Sequence, residues 1–155
     1  MIALIQRVTG ANVKIAGDPV GVIGKGVLAL IGVERGDSEF EALLLAEKVV
    51  NYRIFPDAEG RMNVSLKDAN AQLLAVPQFT LAADTKSGTR ASFSSAASPE
   101  SAERLFRTFV TKVEEWLPRV QTGRFGADMQ VSLVNDGPVT FWLQASPRTQ
   151  SPNKS

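Results

Sequence analysis

An unbroken apolar run, Gly26-Val27-Leu28-Ala29-Leu30-Ile31-Gly32-Val33, constrains the fold of this chain more than any other segment. Its length is typical of a strand and far below that of a membrane span. Because both faces of such a strand are apolar, we expect residues 27–33 to form a central strand that is covered on both sides.

Shorter segments with alternating or apolar patterns predict the other strands of the sheet. Thr9-Gly10 is a turn signal, so a hairpin is predicted there. Asn135-Asp136-Gly137-Pro138 has turn composition and is expected to join the last two strands. The predicted strands are 2–8, 11–16, 20–23, 52–55, 72–81, 129–134 and 139–143.

Two helices are predicted from their start signals and their apolar spacing. Ser38-Glu39-Phe40-Glu41 is a capping box, which predicts a helix over 39–51. Ser98-Pro99-Glu100 starts a second helix. An apolar core stripe follows in it: Ala102, Leu105, Phe106, Phe109, Val110, Val113 and Trp116. Strands and helices do not alternate regularly, so we expect an α+β fold with a mostly antiparallel or mixed, barrel-like sheet and two main helices.

The length of 155 residues favours a single domain, which we place at residues 1–145. Residues 146–155 are Ser, Pro, Arg, Thr, Gln, Asn and Lys, and they are expected to form a disordered polar tail. Neither a secretory signal nor a membrane-length apolar segment is present, so a cytoplasmic location is the expectation.

The sequence contains no histidine and no cysteine. Ser-His-Asp and Cys-His catalysis are therefore excluded, and so are almost all zinc sites. We expect no metal and no cofactor, because the remaining acids are scattered and no phosphate-binding loop is present. The net charge of +1 lacks the basic excess of a protein that grips nucleic acid along its phosphates. If the protein binds RNA, we expect it to contact only a small part of the RNA, such as one end. The alternative is that it binds no nucleic acid.

Three positions are candidates for chemistry, although each also has a purely structural interpretation. Gly137-Pro138 is either a plain turn or a cis bond whose paired carbonyls could hold an ammonium group. Thr80 is either a strand-end residue or a group that positions water beside backbone N–H donors for an oxyanion. Without a base it is a poor nucleophile. Arg7 is either a surface residue or a brace for a nearby carbonyl or carboxylate.

Five motifs together closely resemble the bacterial D-aminoacyl-tRNA deacylase family, also named D-tyrosyl-tRNA deacylase, from Met1 to about Gln144. The motifs are Met1-Ile2-Ala3-Leu4-Ile5-Gln6-Arg7-Val8, Tyr52-Arg53-Ile54-Phe55, Gln78-Phe79-Thr80-Leu81, Thr122-Gly123-Arg124-Phe125 and Asn135-Asp136-Gly137-Pro138-Val139-Thr140. Their order and spread over nearly the whole chain make the resemblance specific.

The resemblance implies a homodimer with active sites at the subunit interface. In it, Gly137 and Pro138 form a Gly-cisPro filter that reaches into the partner's pocket and leaves no room for an L side chain. Arg7 is implied as its brace. Gln78, Phe79 and Thr80 match the motif that binds the terminal adenosine and the ester of the aminoacylated tRNA end, with Thr80 as the catalytic candidate. Met129 is a further candidate for the pocket wall.

The family's second motif usually begins with Ser, whereas this chain has Pro77, so any contact of that hydroxyl is absent here. The resulting expectation is hydrolysis of D-aminoacyl-tRNA, and also of mischarged glycyl-tRNA, as chiral proofreading in translation. One alternative is an L-amino-acid editing domain related to those of threonyl-tRNA synthetases. Another is a non-enzymatic dimeric module that binds nucleic acid.

Overall fold

The structure, a computed structural model, describes residues 1–146. Except for Ser146, the polar tail predicted at 146–155 lies outside the described residues. No helix in this part of the chain combines the length and the apolar character needed to cross a membrane.

The strands, in chain order, are β1 (Ile2–Ile15), β2 (Asp18–Ile23), β3 (Gly26–Gly32), β4 (Arg53–Pro56), β5 (Met62–Ser65), β6 (Gln72–Pro77), β7 (Val120–Thr122) and β8 (Gln130–Gln144). The helices are α1 (Glu39–Asn51) and α2 (Pro99–Glu114), and a 3-10 turn covers Phe79–Ala82.

Six strands form one mixed sheet in the order β2-β1-β3-β6-β7, with β8 paired to the other edge of β1. The β3–β6 and β6–β7 pairs are parallel, whereas all pairs of β1 are antiparallel. Because β2 also contacts β6 and β7, the sheet curls into a nearly closed barrel. Strands β4 and β5 form a separate hairpin. The α+β class with a mixed, barrel-like sheet and two main helices is therefore confirmed.

Strand β3 lies between β1 and β6, so the prediction of a central strand is confirmed. Val27, Ala29 and Ile31 belong to the larger core cluster, which also contains the buried faces of both helices. Leu28 belongs to a second cluster, together with Leu74 of β6. The run is apolar on both faces because each face lies in a different core.

The hairpin predicted at Thr9-Gly10 is wrong, since β1 continues through these residues. The chain reverses at Ala16 and Gly17, whose φ angles of 49° and 84° form a tight turn. Strand β1 stays extended because β8 pairs with it along most of its length. Along its other edge, β1 pairs first with β3 and then with β2. The change of partner near Thr9-Gly10 therefore needs no turn in β1.

Two further strand predictions are corrected by the structure. Strand β6 ends at Pro77 rather than at residue 81. Proline has no N–H for the ladder, and after a last bond from the Gln78 N–H to the Ile31 carbonyl (2.7 Å) the chain turns into the 3-10 segment. The strands predicted at 129–134 and 139–143 form one strand, β8, with an internal bulge.

Both predicted helices are confirmed at their first residues. The Glu41 carboxylate accepts hydrogen bonds from the backbone N–H and the hydroxyl of Ser38, both at 2.6 Å. Burial opposes ionisation of Glu41, but these hydrogen bonds outweigh it, so the pKa of Glu41 lies below its ordinary value. At the start of α2, the Ser98 hydroxyl accepts from the Ser101 N–H, and Pro99 follows the cap.

The apolar stripe of α2 packs against α1 and the sheet, as predicted. Its Leu105, Phe109 and Val113 are fully buried. Each such side chain contributes about 1.5–3 kcal/mol of hydrophobic stabilisation. Trp116 lies beyond the end of the helix but still packs against the same core. This packing fixes the first turn of α2 near the end of β6, where the site described below lies.

Candidate active site

A cavity of about 860 Å³ opens where the end of β6, the start of α2 and the segment before β8 meet. Its size lies within the roughly 300–1,000 Å³ of small-molecule sites. Pro77, Gln78 and Phe79 line it from one side, and Met129 lines it from another. Arg35 is the one charged residue among the lining residues. The cavity thus combines a largely apolar wall with a single cationic group.

Thr80 lies in the 3-10 turn directly beside the cavity and is exposed. The Gln78 side-chain amide donates a hydrogen bond to the Thr80 hydroxyl oxygen at 2.5 Å. Because this oxygen accepts from Gln78, the hydroxyl hydrogen is directed elsewhere and can be donated to a ligand. The Thr80 hydroxyl can therefore donate a hydrogen bond to a ligand. Among the described residues, no basic group accepts a hydrogen bond from it.

The backbone around Thr80 has two N–H groups that are free to bind an anionic oxygen. The N–H of Gln78 is bonded to Ile31, and the N–H of Leu81 is bonded to the Gln78 carbonyl at 3.2 Å. Within residues 1–146, no hydrogen-bond acceptor is found for the N–H of Phe79 or of Thr80. Adjacent donors of this kind are the usual components of an oxyanion site.

Aromatic side chains lie at the edge of the cavity. The rings of Phe79 and Phe93 are 5.2 Å apart between centroids and tilted by 45°. Both side chains are exposed, at 58% and 47%. Large exposed aromatic rings in contact with a cavity are a common feature of ligand sites, because they offer apolar area at little cost in side-chain entropy.

A second cluster is built on a bulge in β8. Asn135 pairs with Val8 and Thr140 pairs with Gln6, so residues 136–139 stand opposite the single residue Arg7 of β1. Gly137 and Pro138 lie in this bulge, are exposed, and are joined by a cis peptide bond. The sheet thus projects a short backbone segment away from the ladder.

Arg7 connects the bulge to the rest of the molecule. Its Nε donates to the Asp136 carbonyl at 3.0 Å, and its Nη1 donates to the Ile54 carbonyl at 2.9 Å. The Asp136 carboxylate lies 3.7 Å from the same Nε. Because the planar guanidinium bonds two carbonyls from different strands, it holds the bulge in a fixed direction relative to β4.

The structure brings the predicted residues into two clusters. Gln78, Phe79 and Met129 line the cavity, and Thr80 adjoins it through Gln78. Gly137, Pro138 and Arg7 form the other cluster, and none of the three lines the cavity of its own chain. Sequence reasoning missed two lining residues with large side chains, Arg35 and Phe93, because they follow no periodic pattern, and it named Phe125 only as part of a family motif. For Phe93 the signal is the sequence around it, because residues 82–97 are rich in Ala, Ser, Thr and Gly, which is typical of a long functional loop.

The carboxylates with displaced pKa values lie outside the cavity. Burial raises the pKa of Asp37, against its hydrogen bond with the Met1 ammonium group. Hydrogen bonds from the Asn63 side chain and the Arg61 backbone lower the pKa of Asp57. Within the described chain no cluster of three or more potential metal ligands occurs. The lining of this cavity therefore offers backbone groups, the Arg35 guanidinium and neutral polar side chains such as Gln78, and no carboxylate.

Comparison with known proteins identifies relatives along the whole described chain. The family model described as D-Tyr-tRNA(Tyr) deacylase matches residues 4–144. The D-aminoacyl-tRNA deacylase of Vibrio cholerae is 58% identical over 145 residues, which are 94% of this chain and 100% of the relative. The Escherichia coli protein of the same name is 58% identical and covers 93% of this chain and 99% of the relative.

Two solved structures share the fold. One, named c-Myc DNA Unwinding Element Binding Protein, has a TM-score of 0.90 and 35% identity, and the match covers 96% of this chain and 100% of that one. The other, a probable eukaryotic D-amino acid tRNA deacylase, has a TM-score of 0.77 and 17% identity over 92% of this chain and 97% of that one. The match over residues 4–144 and the identity of 58% confirm the resemblance carried by the motifs: the chain belongs to the D-aminoacyl-tRNA deacylase family.

Proposed function

We propose that this protein hydrolyses the ester bond of D-aminoacyl-tRNA and releases the free D-amino acid and the tRNA, as chiral proofreading in translation. The observation that carries the proposal is 58% identity to D-aminoacyl-tRNA deacylases along their full length. The proposal assigns this activity to a single domain of residues 1–145 and to the cytoplasm, where translation takes place.

The cavity supplies the binding site for the aminoacylated 3' end. Its volume of about 860 Å³ suits a nucleoside with an attached amino acid, and its apolar wall and aromatic edge suit a base. In this assignment Gln78, Phe79 and Met129 bind the terminal adenosine and the ester. A protein of net charge +1 then contacts only the end of the tRNA, and not its whole phosphate backbone.

The chemistry follows from the groups beside the cavity. A water molecule attacks the ester carbonyl carbon, and the developing oxyanion is bound by the N–H groups of Phe79 and Thr80. The bond to the ribose oxygen then breaks, and that oxygen leaves as a hydroxyl after taking the proton lost by the water. Thr80 positions the water or the ester through its hydroxyl, since no histidine in this sequence could activate it as a nucleophile.

Replacing Thr80 by Ala should lower kcat by about 10-fold and leave KM within about twofold, because one positioning hydrogen bond is lost. No acyl-enzyme should appear on the wild-type protein when it is quenched during turnover and weighed by mass spectrometry. Thr80→Ser should restore most of the rate. A trapped acyl-enzyme, together with an abolished rate and unchanged binding in Thr80→Ala, would instead make Thr80 the nucleophile.

We propose further that the protein acts as a homodimer, in which the Gly137-Pro138 bulge of one subunit enters the cavity of its partner. Two observations support this arrangement: the bulge is exposed, and it does not line the cavity of its own chain. The carbonyls of Gly137 and Pro138 hold the substrate ammonium and exclude an L side chain, while Arg7 braces them. Because the carbonyls distinguish substrates only by excluding an L side chain, the filter admits achiral glycine.

The test is to incubate the protein with D-Tyr-tRNA, L-Tyr-tRNA and Gly-tRNA and to follow loss of the ester. We expect rapid loss of the D and glycyl esters and a rate for the L ester that is lower by at least about 100-fold, as expected where a misfit reaches the reacting centre. Equal D and L rates, or loss of the L ester alone, would favour an L-editing enzyme and contradict the proposal.

A second candidate function is binding of a DNA element without catalysis. The observation that favours it is the name of the structural relative of 35% identity, a DNA unwinding element binding protein. This candidate predicts a duplex affinity that falls steeply with salt. It would be preferred if the duplex bound and none of the three esters was hydrolysed.

A further inference from the structure

The bulge of β8 is closed at its base by the side chains of Asn135 and Thr140. Asn135 Nδ2 donates to the Thr140 hydroxyl oxygen at 2.9 Å, and Asn135 Oδ1 accepts from the Val139 N–H at 2.9 Å. The Gln6 side chain of the neighbouring strand donates to the same hydroxyl oxygen at 3.3 Å. One side chain thus bonds both a backbone group inside the bulge and the residue at which pairing with β1 resumes.

This closure acts on the opposite end of the bulge from Arg7. Arg7 holds the Asp136 carbonyl, on the side where the chain enters the bulge. Asn135 holds the Val139 N–H, on the side where the chain leaves it. Between these two fixed points lie only Gly137 and Pro138. The direction of the Gly137 and Pro138 carbonyl groups is therefore set by both attachments. Arg7 provides only the attachment at Asp136, and Asn135 provides the one at Val139.

We propose that Asn135 and Thr140 are positioning residues that set the ratio at which D and L esters are hydrolysed. The proposal rests on the proposed function and extends it by naming the groups that keep the filter rigid. An L side chain is excluded only while the Gly137 and Pro138 carbonyls stay in place. Loosening the exit side of the bulge should therefore weaken discrimination more than it weakens turnover of the correct substrate.

The experiment compares Asn135→Ala, Thr140→Val and the double variant with the wild type. The D-to-L ratio of kcat/KM is expected to fall about 10-fold in each single variant. Because the two side chains share one hydrogen bond, the double variant should lose less than the product of the two single effects. Thr140→Ser keeps the hydroxyl and should restore the wild-type ratio.

Thr108→Val is the matched control, because the Thr108 hydroxyl bonds the Arg104 carbonyl within α2 and not a group of the bulge. The D-to-L ratio of this variant should not change. Amide exchange at Val139 provides a readout independent of activity, and it should accelerate about 10-fold in Asn135→Ala. Unchanged exchange at Val139, or D, L and glycyl rates that fall in equal proportion, would overturn this inference. A wild type that hydrolyses no ester would instead remove the proposed function, while the exchange result still decides whether the closure is present.

Discussion

Replacing Gly137 by Ala is expected to lower kcat/KM for D-Tyr-tRNA by at least about 100-fold, the loss typical of a displaced reacting group. Gly137 has a φ of 145°, a conformation that L side chains rarely adopt, so the substitution is strained by about 1–3 kcal/mol. An added Cβ would lie 2.5 Å from Val139 Cγ2, 2.8 Å from the Val139 N and 3.3 Å from an Arg7 nitrogen. The bulge must shift to accept it, and the filter shifts with it.

Gly17→Ala provides the matched control for this substitution. Gly17 also has a positive φ, 84°, but an added Cβ there meets nothing within 4 Å. Both variants should therefore lose some stability in thermal unfolding, whereas only Gly137→Ala should lose activity. If Gly137→Ala hydrolyses D-Tyr-tRNA within about threefold of the wild-type rate, the bulge has no part in the site.

The same variant also tests whether the active site is shared between subunits. Gly137→Ala damages the bulge, and the double variant Gln78→Ala, Thr80→Ala damages the cavity side. In a mixed dimer, one of the two sites combines an intact cavity with an intact bulge. Equal mixing should thus restore about a quarter of the wild-type activity, from the statistics of a two-fold dimer. Absence of recovery in a mixture would contradict the shared site.

Arg7→Ala is expected to lower kcat/KM for D-Tyr-tRNA by about 100-fold, because the bulge loses its attachment to β4. Two carbonyl groups, of Asp136 and Ile54, lose their donor. Leaving a buried carbonyl unsatisfied costs about 1–3 kcal/mol, and this applies to Ile54, which is buried, so the unfolding temperature should also fall. Arg7→Lys carries one ammonium group and should recover the activity only partly, since it cannot reproduce the two-directional fork.

Arg107→Ala is the control for a lost arginine. Arg107 is exposed and forms an i,i+4 ion pair with Glu103, which contributes little to stability. Initial rates measure the loss of activity, and urea unfolding measures the loss of stability. Arg107→Ala should match the wild type in both measurements. An Arg7→Ala protein that keeps full activity and D-over-L selectivity would contradict the role of Arg7 as a brace.

Patterns in the sequence predicted those features that depend on neighbouring residues. The apolar run at 27–33 indicated burial on both faces, because the side chains on each face of such a strand are apolar. The capping box at Ser38 and the Ser98-Pro99 start signal located both helices, since capping is a local hydrogen-bonding event. The absence of histidine and cysteine excluded whole classes of catalysis by composition alone.

Turn composition was misleading where a distant strand decided the outcome. Thr9-Gly10 and Asn135-Asp136-Gly137-Pro138 both have turn character, yet both lie inside long strands. Each strand provides the ladder partners for the other, and this pairing outweighs the local preference for a turn. The conflict between turn residues and strand pairing is resolved by a bulge, and that bulge carries Gly137 and Pro138.

The sequence alone therefore determined the class of fold, the helices, the central strand and the motif residues. Tertiary structure decided how those motifs meet. Arg7 reaches Asp136 across 129 positions of sequence, and the cavity adds Arg35 and Phe93 to the motif residues. The physical reason is that periodicity and capping report contacts within one turn or one strand. Strand register and cavity walls depend on packing between segments that no local pattern connects.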